Sequence, residues 1–309
     1  MLSQLPAILK CLYCGCNGLN LAPDTKTYTF RTGDQEIEVV ERGAVLCRKC
    51  QTSYPVEDGI LNMLPHTLKG LNQAQLSGQW KLTAWAYERP WRLKALTWLA
   101  QRDWPPSEEI ETLIQMLSDT PPPKMTIHNN LAFYLDLACS TCFYGRNMAL
   151  ALKDGRLDTG TATGTVVSLD NSWAMLQQAR KFIQTAGVTG YISLIRADVE
   201  NLPFINEAFV GIGGGAILNE FQDPDKALQE AARVLAPDAN FVCMNQVAAS
   251  SGWGRAIQKF LSLSSGLNFF EKDQLPQMFQ EARLKLKAQQ ASGLITLNQL
   301  VPQNSQAVS

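Results

Sequence analysis

Short apolar runs alternate with helix-like stretches over the second half of the chain. Residues 131–135 form a continuous apolar run that leads into Asp136, a pattern typical of a buried parallel strand. Apolar side chains then recur with helical spacing, and the same succession continues to about residue 245. Strands that alternate with helices predict an α/β fold with a doubly wound parallel sheet. The predicted strands are residues 131–135, 165–170, 191–196, 209–212 and 240–245, and the predicted helices are residues 143–153, 172–186 and 223–235.

The first part of the chain follows a different pattern. Residues 27–30 and 37–40 alternate apolar and polar side chains, and Thr32-Gly33-Asp34 favours a turn between them. These features predict a small β unit. The unit contains too little apolar mass to fold without further support.

A helical connector is predicted between the two parts. Residues 66–78 are polar and predict a linker. Apolar residues recur every three or four positions over residues 80–101, which predicts helix with a break at Pro90. Residues 107–118 predict a further helix with Ser107 as its N-cap.

The string Tyr87-Glu88-Arg89-Pro90-Trp91-Arg92 in this connector combines aromatic and charged side chains. The favoured interpretation is a helix that packs its aromatic side chains on the main domain. A second interpretation is a lid over a substrate pocket, because arginine and tryptophan also bind acidic groups and flat rings.

Composition limits the classes of protein that remain. The chain has 309 residues, which suggests about two domains, and its 46% of hydrophobic residues is enough for a core. A formal net charge of −1 argues against a strongly basic nucleic-acid-binding surface. There is no run of about 18 apolar residues and no secretory signal, so we expect a cytoplasmic protein with no integral membrane segment.

The cysteines suggest a metal site. Cys11 and Cys14 form one C-x-x-C knuckle, and Cys47 and Cys50 form a second. Two such knuckles complete a tetrahedron around zinc, so we expect a structural zinc ribbon that depends on the metal for its stability. Cys16 is an alternative ligand whose spacing fits less well, and four free thiols are the simpler alternative.

Three acidic residues occur where predicted strands end. Asp136 closes the first strand, Asp170 closes the second and Asp198 follows the third. Ligands of doubly wound sheets bind at these carboxyl ends. Carboxylates there can accept hydrogen bonds from ribose hydroxyls and an adenine amine, so the three residues together predict a nucleoside ligand.

The second half of the chain resembles the class I S-adenosylmethionine-dependent methyltransferases, in particular the quinone-biosynthesis enzymes and the cyanobacterial and plastid members. Five strings carry the resemblance in order, namely residues 136–144, 167–172 with Met175-Leu176, 196–204, 214–221, and 225–228 with 232–237. Residues 8–65 resemble the zinc-ribbon modules that activate methyltransferases. The resemblance implies S-adenosylmethionine as cofactor, held by Asp136, Ala138, Tyr144, Asp170, Asn171, Asp198, Val199 and Gly214.

One string departs from the family pattern. The family's first turn reads Asp-x-Gly-x-Gly-x-Gly, whereas this chain has Ala138, Ser140 and Cys142 at the glycine positions. Glycine is favoured there because the backbone adopts unusual angles and approaches the ligand closely.

Asn219 and Glu220 follow the fourth strand, where substrate meets the methyl group in the family, and are the catalytic candidates; the alternative is that they cap a helix. We expect a small apolar or aromatic acceptor, and divide the chain into a ribbon (1–65), a connector (66–124) and a methyltransferase domain (125–309). One alternative is an enzyme that methylates RNA bases, with the ribbon contacting RNA. The other is a methyltransferase-like scaffold that has lost turnover.

Overall fold

The computed structural model describes residues 1–32, 35–64, 71–88, 92–119, 128, 130–157, 159–160 and 162–303. The expected turn at Gly33-Asp34, the expected break at Pro90 and the side chain of Trp91 lie outside the described residues. Among the described residues, no helix is both long enough and apolar enough to cross a membrane.

Twelve strands form one sheet in the described part of the chain. The strands are β1 (Leu19–Leu21), β2 (Lys26–Thr32), β3 (Gln35–Cys47), β4 (Ser53–Glu57), β5 (Ile60–Asn62), β6 (Leu131–Leu137), β7 (Thr163–Asp170), β8 (Ile192–Arg196), β9 (Phe209–Gly214), β10 (Leu235–Gln246), β11 (Leu284–Ser292) and β12 (Ile295–Pro302). The order along the sheet is β1-β3-β4-β5-β8-β7-β6-β9-β10-β12-β11, and β2 pairs with β3 alone.

Within the described ranges, four helices lie between β5 and β6 in the chain, and five more lie between the later strands. They are α1 (Gln73–Gly78), α2 (Lys81–Ala86), α3 (Arg92–Ala100), α4 (Pro106–Ser118), α5 (Phe143–Lys153), α6 (Trp173–Thr185), α7 (Pro224–Val234), α8 (Gly252–Ser265) and α9 (Gln274–Glu281).

The centre of the sheet has the predicted doubly wound topology. Strands β8, β7, β6, β9 and β10 are parallel neighbours. The chain moves outward from β6 through β7 to β8, and then returns to the other side of β6 with β9. The carboxyl ends of β6 and β9 are therefore the switch point at which such sheets bind ligands. The predicted α/β class is confirmed.

Local patterns located some elements well and others poorly. Helix α5 has the predicted bounds, and Ser172 caps α6 by accepting the N–H of Met175. The linker prediction for residues 66–78 is wrong in part, because Asn72 and Gln75 form a capping box that begins α1. Helix α4 begins at Pro106 rather than after Ser107. The hairpin of β11 and β12 was not predicted.

The ribbon is part of the same sheet as the main domain. Strand β5 pairs in parallel with β8, with Ile60 opposite Leu194 and Leu61 opposite Ile195. The N–H of Met63 extends this pairing by donating to the Arg196 carbonyl at 2.9 Å.

The hydrophobic core is also continuous across the two parts. Leu5, Ile8, Leu9 and Leu61 of the ribbon belong to one buried cluster with Phe204 and Phe209 of the main domain. The β unit that cannot fold alone is therefore supported by the parallel sheet beside it.

Candidate functional site

A cavity of about 820 Å³ lies at the carboxyl ends of the central strands. Asp136 of β6, Asp170 of β7 and Asp198, two residues beyond β8, all line this cavity. The sequence placed these three acids at strand ends, and the structure brings them together. Ala138, Tyr144, Asn171, Val199 and Glu220 also line the cavity.

The turn between β6 and α5 has the backbone conformation that glycine normally provides. Ala138, Ser140 and Cys142 have φ angles of 51°, 50° and 65°. These are the three positions at which the family has glycine. The left-handed conformation costs an L-residue roughly 1–2 kcal/mol. The turn adopts this conformation at all three positions although none of them is glycine. The backbone N–H of Ser140 donates to Asp170 Oδ2 at 2.8 Å, which fixes the turn against β7.

Asp136 holds the start of α5 against the sheet. Its Oδ2 accepts the N–H of Gly145 at 2.7 Å. A Cβ at Gly145 would lie 2.3 Å from Ser168 Oγ and 2.7 Å from Asp136 Oδ2, so this close approach requires glycine. Burial raises the pKa of Asp136 to about 7.

Asp170 is held by backbone donors at the end of β7. Its two carboxylate oxygens accept the N–H groups of Ser140 and Ser172, both at 2.8 Å. Burial raises the pKa of Asp170 above its usual value. Buried carboxylates of this kind favour a cationic ligand, which would offset the cost of their charge.

Asn171, which follows β7, and Asp198, which follows β8, have partners of their own. Asn171 Oδ1 accepts a hydrogen bond from Gln79 Nε2 at 3.1 Å, so the residue that follows β7 also contacts the connector. Asp198 Oδ1 accepts the N–H of Glu200 at 3.0 Å, which shapes the loop after β8.

A buried network joins the connector to the cavity wall. Glu109 Oε1 accepts hydrogen bonds from the Tyr144 hydroxyl at 2.8 Å and from Arg92 Nη2 at 2.7 Å. The Arg92 guanidinium also lies 4.0 Å from the centre of the Phe143 ring. Glu109 lies in the first turn of α4, and no local signal in the sequence identified it as the partner of Tyr144.

The connector forms the outer wall of the cavity. Tyr87 and Arg92 both line it, as the lid interpretation expects. Glu88 accepts hydrogen bonds from Thr141 and Arg146, which attaches the connector to the turn between β6 and α5. The connector therefore lines the cavity in addition to packing on the main domain, which was the favoured interpretation.

Glu220 lies in the cavity, but Asn219 does not. Asn219 Nδ2 donates to the carbonyls of Gln246 and Asn268, and its Oδ1 accepts the N–H of Gln246. These contacts use the polar atoms of its side chain, which argues against its expected catalytic role. Gly214 also lies off the cavity, while the next two residues line it.

Glu220 is the one of the two catalytic candidates that lines the cavity. Its side chain remains exposed in the cavity. Partial loss of hydration between the cavity walls, together with the nearby Asp170, raises the pKa of Glu220 to about 7. The side chain of Asn72 donates to the Glu220 carbonyl at 2.9 Å, so the connector also fixes its backbone.

The second candidate site is the cysteine cluster of the ribbon. The Sγ atoms of Cys11, Cys14, Cys47 and Cys50 all lie within 4.8 Å of one another. The Sγ separations are 3.6 Å for Cys11 and Cys50 and 3.5 Å for Cys14 and Cys47. Tetrahedral zinc with Zn–S bonds of about 2.3 Å requires about 3.8 Å between sulfurs, so the cluster fits such an ion. Cys16 lies outside the cluster.

Hydroxyl groups complete the surroundings of the cluster. The Tyr54 hydroxyl lies 3.2 Å from Cys11 Sγ, and it accepts the N–H of Leu12. The Thr52 hydroxyl lies 3.1 Å from Cys50 Sγ. Hydroxyl donors in these positions stabilise thiolates and orient metal ligands.

Comparison with known proteins agrees with this geometry. Residues 135–243 match the family described as methyltransferase domain. An uncharacterized chloroplastic methyltransferase of Arabidopsis thaliana is 24% identical over 249 residues, which are 77% of this chain and 64% of that protein. The demethylmenaquinone methyltransferase of Lactiplantibacillus plantarum is 33% identical over 113 residues, which are 37% of this chain and 44% of that protein. The chain thus spans less than two thirds of the length of these relatives.

A solved structure has a similar fold. A chain from the complex between the Haloferax volcanii Trm112 methyltransferase activator and a methyltransferase matches with a TM-score of 0.50 at 17% identity, over 72% of this chain and 96% of that chain. The resemblance seen in the sequence is confirmed: residues 135–243 match a methyltransferase domain, and the similar proteins include ones named as quinone-biosynthesis methyltransferases.

The positive φ angles of the turn between β6 and α5 have a measurable consequence. Ala138→Gly removes a Cβ from a left-handed residue, so we expect the free energy of unfolding to rise by about 1 kcal/mol. The matched variant Ala232→Gly lies in helix α7 and should lower it by about 1 kcal/mol. Denaturant unfolding measures both, and equal losses in the two variants would contradict the conformation described for the turn.

Proposed function

We propose that this chain is an S-adenosylmethionine-dependent methyltransferase that acts on a small apolar or aromatic acceptor. The observation that carries the proposal is the meeting of Asp136, Asp170 and Asp198 with a left-handed turn in one cavity of a methyltransferase domain. A nucleoside cation needs this combination of acceptors, backbone N–H groups and negative charge.

Separate residues would bind separate parts of the cofactor, which supplies a methyl group on a positively charged sulfur. Asp170 accepts hydrogen bonds from the ribose hydroxyls, and Asp198 accepts them from the adenine amine. The turn at Ala138 presents backbone to the ligand, and Val199 provides an apolar contact for the ring. Asp136 fixes the turn through Gly145 and adds negative charge near the positive end of the ligand.

The remainder of the cavity suits an apolar acceptor. Its walls beyond the acids include Leu96, Leu99, Met244, Leu267 and Phe269. Methyl transfer from sulfur is an in-line displacement, so correct placement of the acceptor provides most of the rate enhancement. The connector excludes water from the reacting groups, and Glu220 takes a proton from the acceptor.

Cofactor binding tests the assignment of Asp170. Asp170→Asn removes the charge that strengthens hydrogen bonds to the ribose, so we expect S-adenosylmethionine to bind at least tenfold more weakly, as loss of roughly 1.5–3 kcal/mol implies. Asp273→Asn changes an exposed acid at the start of α9 and is the matched control. Isothermal calorimetry measures the cofactor affinity of both variants. A melting temperature for each variant shows that it is folded.

Two results would contradict this part of the proposal. Unchanged affinity in folded Asp170→Asn would remove Asp170 from the site. Absence of binding by the unaltered protein at millimolar cofactor would favour the inactive scaffold.

The pH dependence of turnover tests Glu220. A base with a pKa of about 7 is protonated in acid, so the rate should rise as pH increases through about 7. Glu220→Gln should lower kcat by about 10²- to 10⁴-fold and abolish this dependence. Glu200→Gln changes another carboxylate that lines the cavity, and this variant should retain kcat and its dependence on pH. The assay is transfer of labelled methyl groups into cell extract. If Glu220→Gln kept the pH profile of the unaltered protein, Glu220 would be excluded as the base.

We further propose that Cys11, Cys14, Cys47 and Cys50 bind one structural zinc ion. Four thiolates leave no open coordination position, so the ion stabilises the ribbon and takes no part in turnover. Each knuckle holds its two sulfurs on one tight turn, with Gly15 N–H bonded to the Cys11 carbonyl and Gln51 N–H to the Cys47 carbonyl.

Metal analysis of two neighbouring variants tests the zinc site. Cys14→Ser should lose the ion and lower the melting temperature of the whole chain, because the ribbon and the main domain share a core. Cys16→Ser should retain about one zinc per chain, since its sulfur accepts the N–H of Gly18 outside the cluster. A metal-free protein with an unchanged melting temperature would overturn the proposal.

A further inference from the structure

Helix α8 exposes its apolar side. Trp253, Ile257 and Phe260 are separated by four and three residues, so they share one face of the helix, and all three are exposed. Trp253 is 85% exposed and Leu263, near the other end of the helix, is 80% exposed. A helix on the surface of a globular protein normally directs such residues toward the core.

The side of α8 that carries Gln258 faces the protein. Gln258 is the buried residue of this helix. Its Oε1 accepts the N–H of Ala249 at 2.7 Å, and its Nε2 donates to the Val247 carbonyl at 3.0 Å. These two hydrogen bonds fix the rotation of the helix and hold the apolar side outward.

Exposed apolar residues of the connector extend the same surface. Leu82 of α2 and Trp98 of α3 are both exposed, and both line the cavity together with Leu261 of α8. The three helices therefore meet around the opening of the cavity. We name the exposed residues Leu82, Trp98, Trp253, Ile257, Phe260 and Leu263 the apolar rim.

Lysines accompany the apolar residues on all three helices. Lys81 precedes Trp85, Lys94 precedes Trp98 and Lys259 precedes Leu263, each by four residues. Residues four apart share a helix face, so each lysine lies beside a large apolar side chain. The helices α1, α2, α3 and α8 contain no aspartate or glutamate.

This charge pattern separates two possible occupants of the surface. Lysine is depleted in the interfaces between proteins. Lysine beside tryptophan, phenylalanine and leucine is instead characteristic of helices that lie in the surface of a bilayer, where the apolar chains enter the acyl region and the ammonium groups contact anionic headgroups.

We propose that the apolar rim docks on a bilayer that contains anionic lipid, with the opening of the cavity facing the membrane. An acceptor dissolved in the bilayer then reaches Glu220 without crossing water. The docking itself does not depend on the proposed methyl transfer, because it requires neither cofactor nor acceptor.

Flotation with vesicles tests the docking in the absence of S-adenosylmethionine. The full chain should float with vesicles of phosphatidylcholine and phosphatidylglycerol, and less with phosphatidylcholine alone. The double variant Trp253→Ser and Phe260→Ser should lower the partition coefficient at least tenfold, since two large apolar side chains leave the acyl region. Lys259→Gln should lower it about fivefold. Tyr13→Ser, which changes a ribbon residue that is 83% exposed, should have no effect.

Three results would overturn the proposal. The first is absence of the full chain from the anionic vesicle fraction. The second is an equal loss in Tyr13→Ser, which would indicate unspecific adsorption. The third is a dimer in light scattering that the double variant abolishes while vesicle binding persists, which would identify the rim as a contact between two copies. Since the altered residues are exposed, the variants should retain their melting temperature, and calorimetry with the cofactor reports independently on the proposed enzyme.

Discussion

The parallel pairing of β5 with β8 is the interaction on which the rest of the molecule depends. Strand β8 would otherwise be a sheet edge with unpaired N–H and C=O groups, and such edges promote aggregation. The pairing reaches the candidate site, because Met63 N–H binds the Arg196 carbonyl and Arg196 Nε binds the Asn171 carbonyl at 3.0 Å. Asp198 follows two residues later. The cysteine cluster lies in the ribbon that covers this edge, so it supports the end of the cavity lined by Asp198 although it lies outside the cavity.

Local sequence predicted the parts of the fold that local interactions determine. The apolar runs of the central strands and the spacing in α5 were sufficient, because burial on both faces of a parallel sheet leaves a strong pattern. Strand β5 has only three residues, and its partner β8 lies more than a hundred positions away, so no pattern indicated their pairing. The same distinction between local and long-range interactions decides which residues of the candidate site could be predicted. Strand ends identified the three aspartates, whereas the contact of Glu109 with Tyr144 and Arg92 depends on how the connector packs.

The glycine-poor turn bears on the choice between an enzyme and an inactive scaffold. Non-glycine residues adopt left-handed angles at a cost, and they retain them only where the surrounding structure imposes them. Here the imposing contacts are the bond from Ser140 N–H to Asp170 and the approach of Cys142 Sγ to Ser168 Oγ at 3.1 Å. The backbone of the turn thus has left-handed angles at all three positions without glycine. This shape supports the proposed enzyme over the inactive scaffold.

The surroundings of the cavity favour an apolar acceptor over RNA. Binding of RNA requires a basic surface that releases counterions from phosphates, and the formal charge of the chain is −1. In the ribbon, the Arg48 guanidinium already binds Asn20 Oδ1 at 2.7 Å. The helices that surround the opening instead combine tryptophan, leucine and phenylalanine with isolated lysines. At this opening each lysine stands beside a large apolar side chain, an arrangement that suits an apolar molecule in a bilayer better than a continuous phosphate backbone.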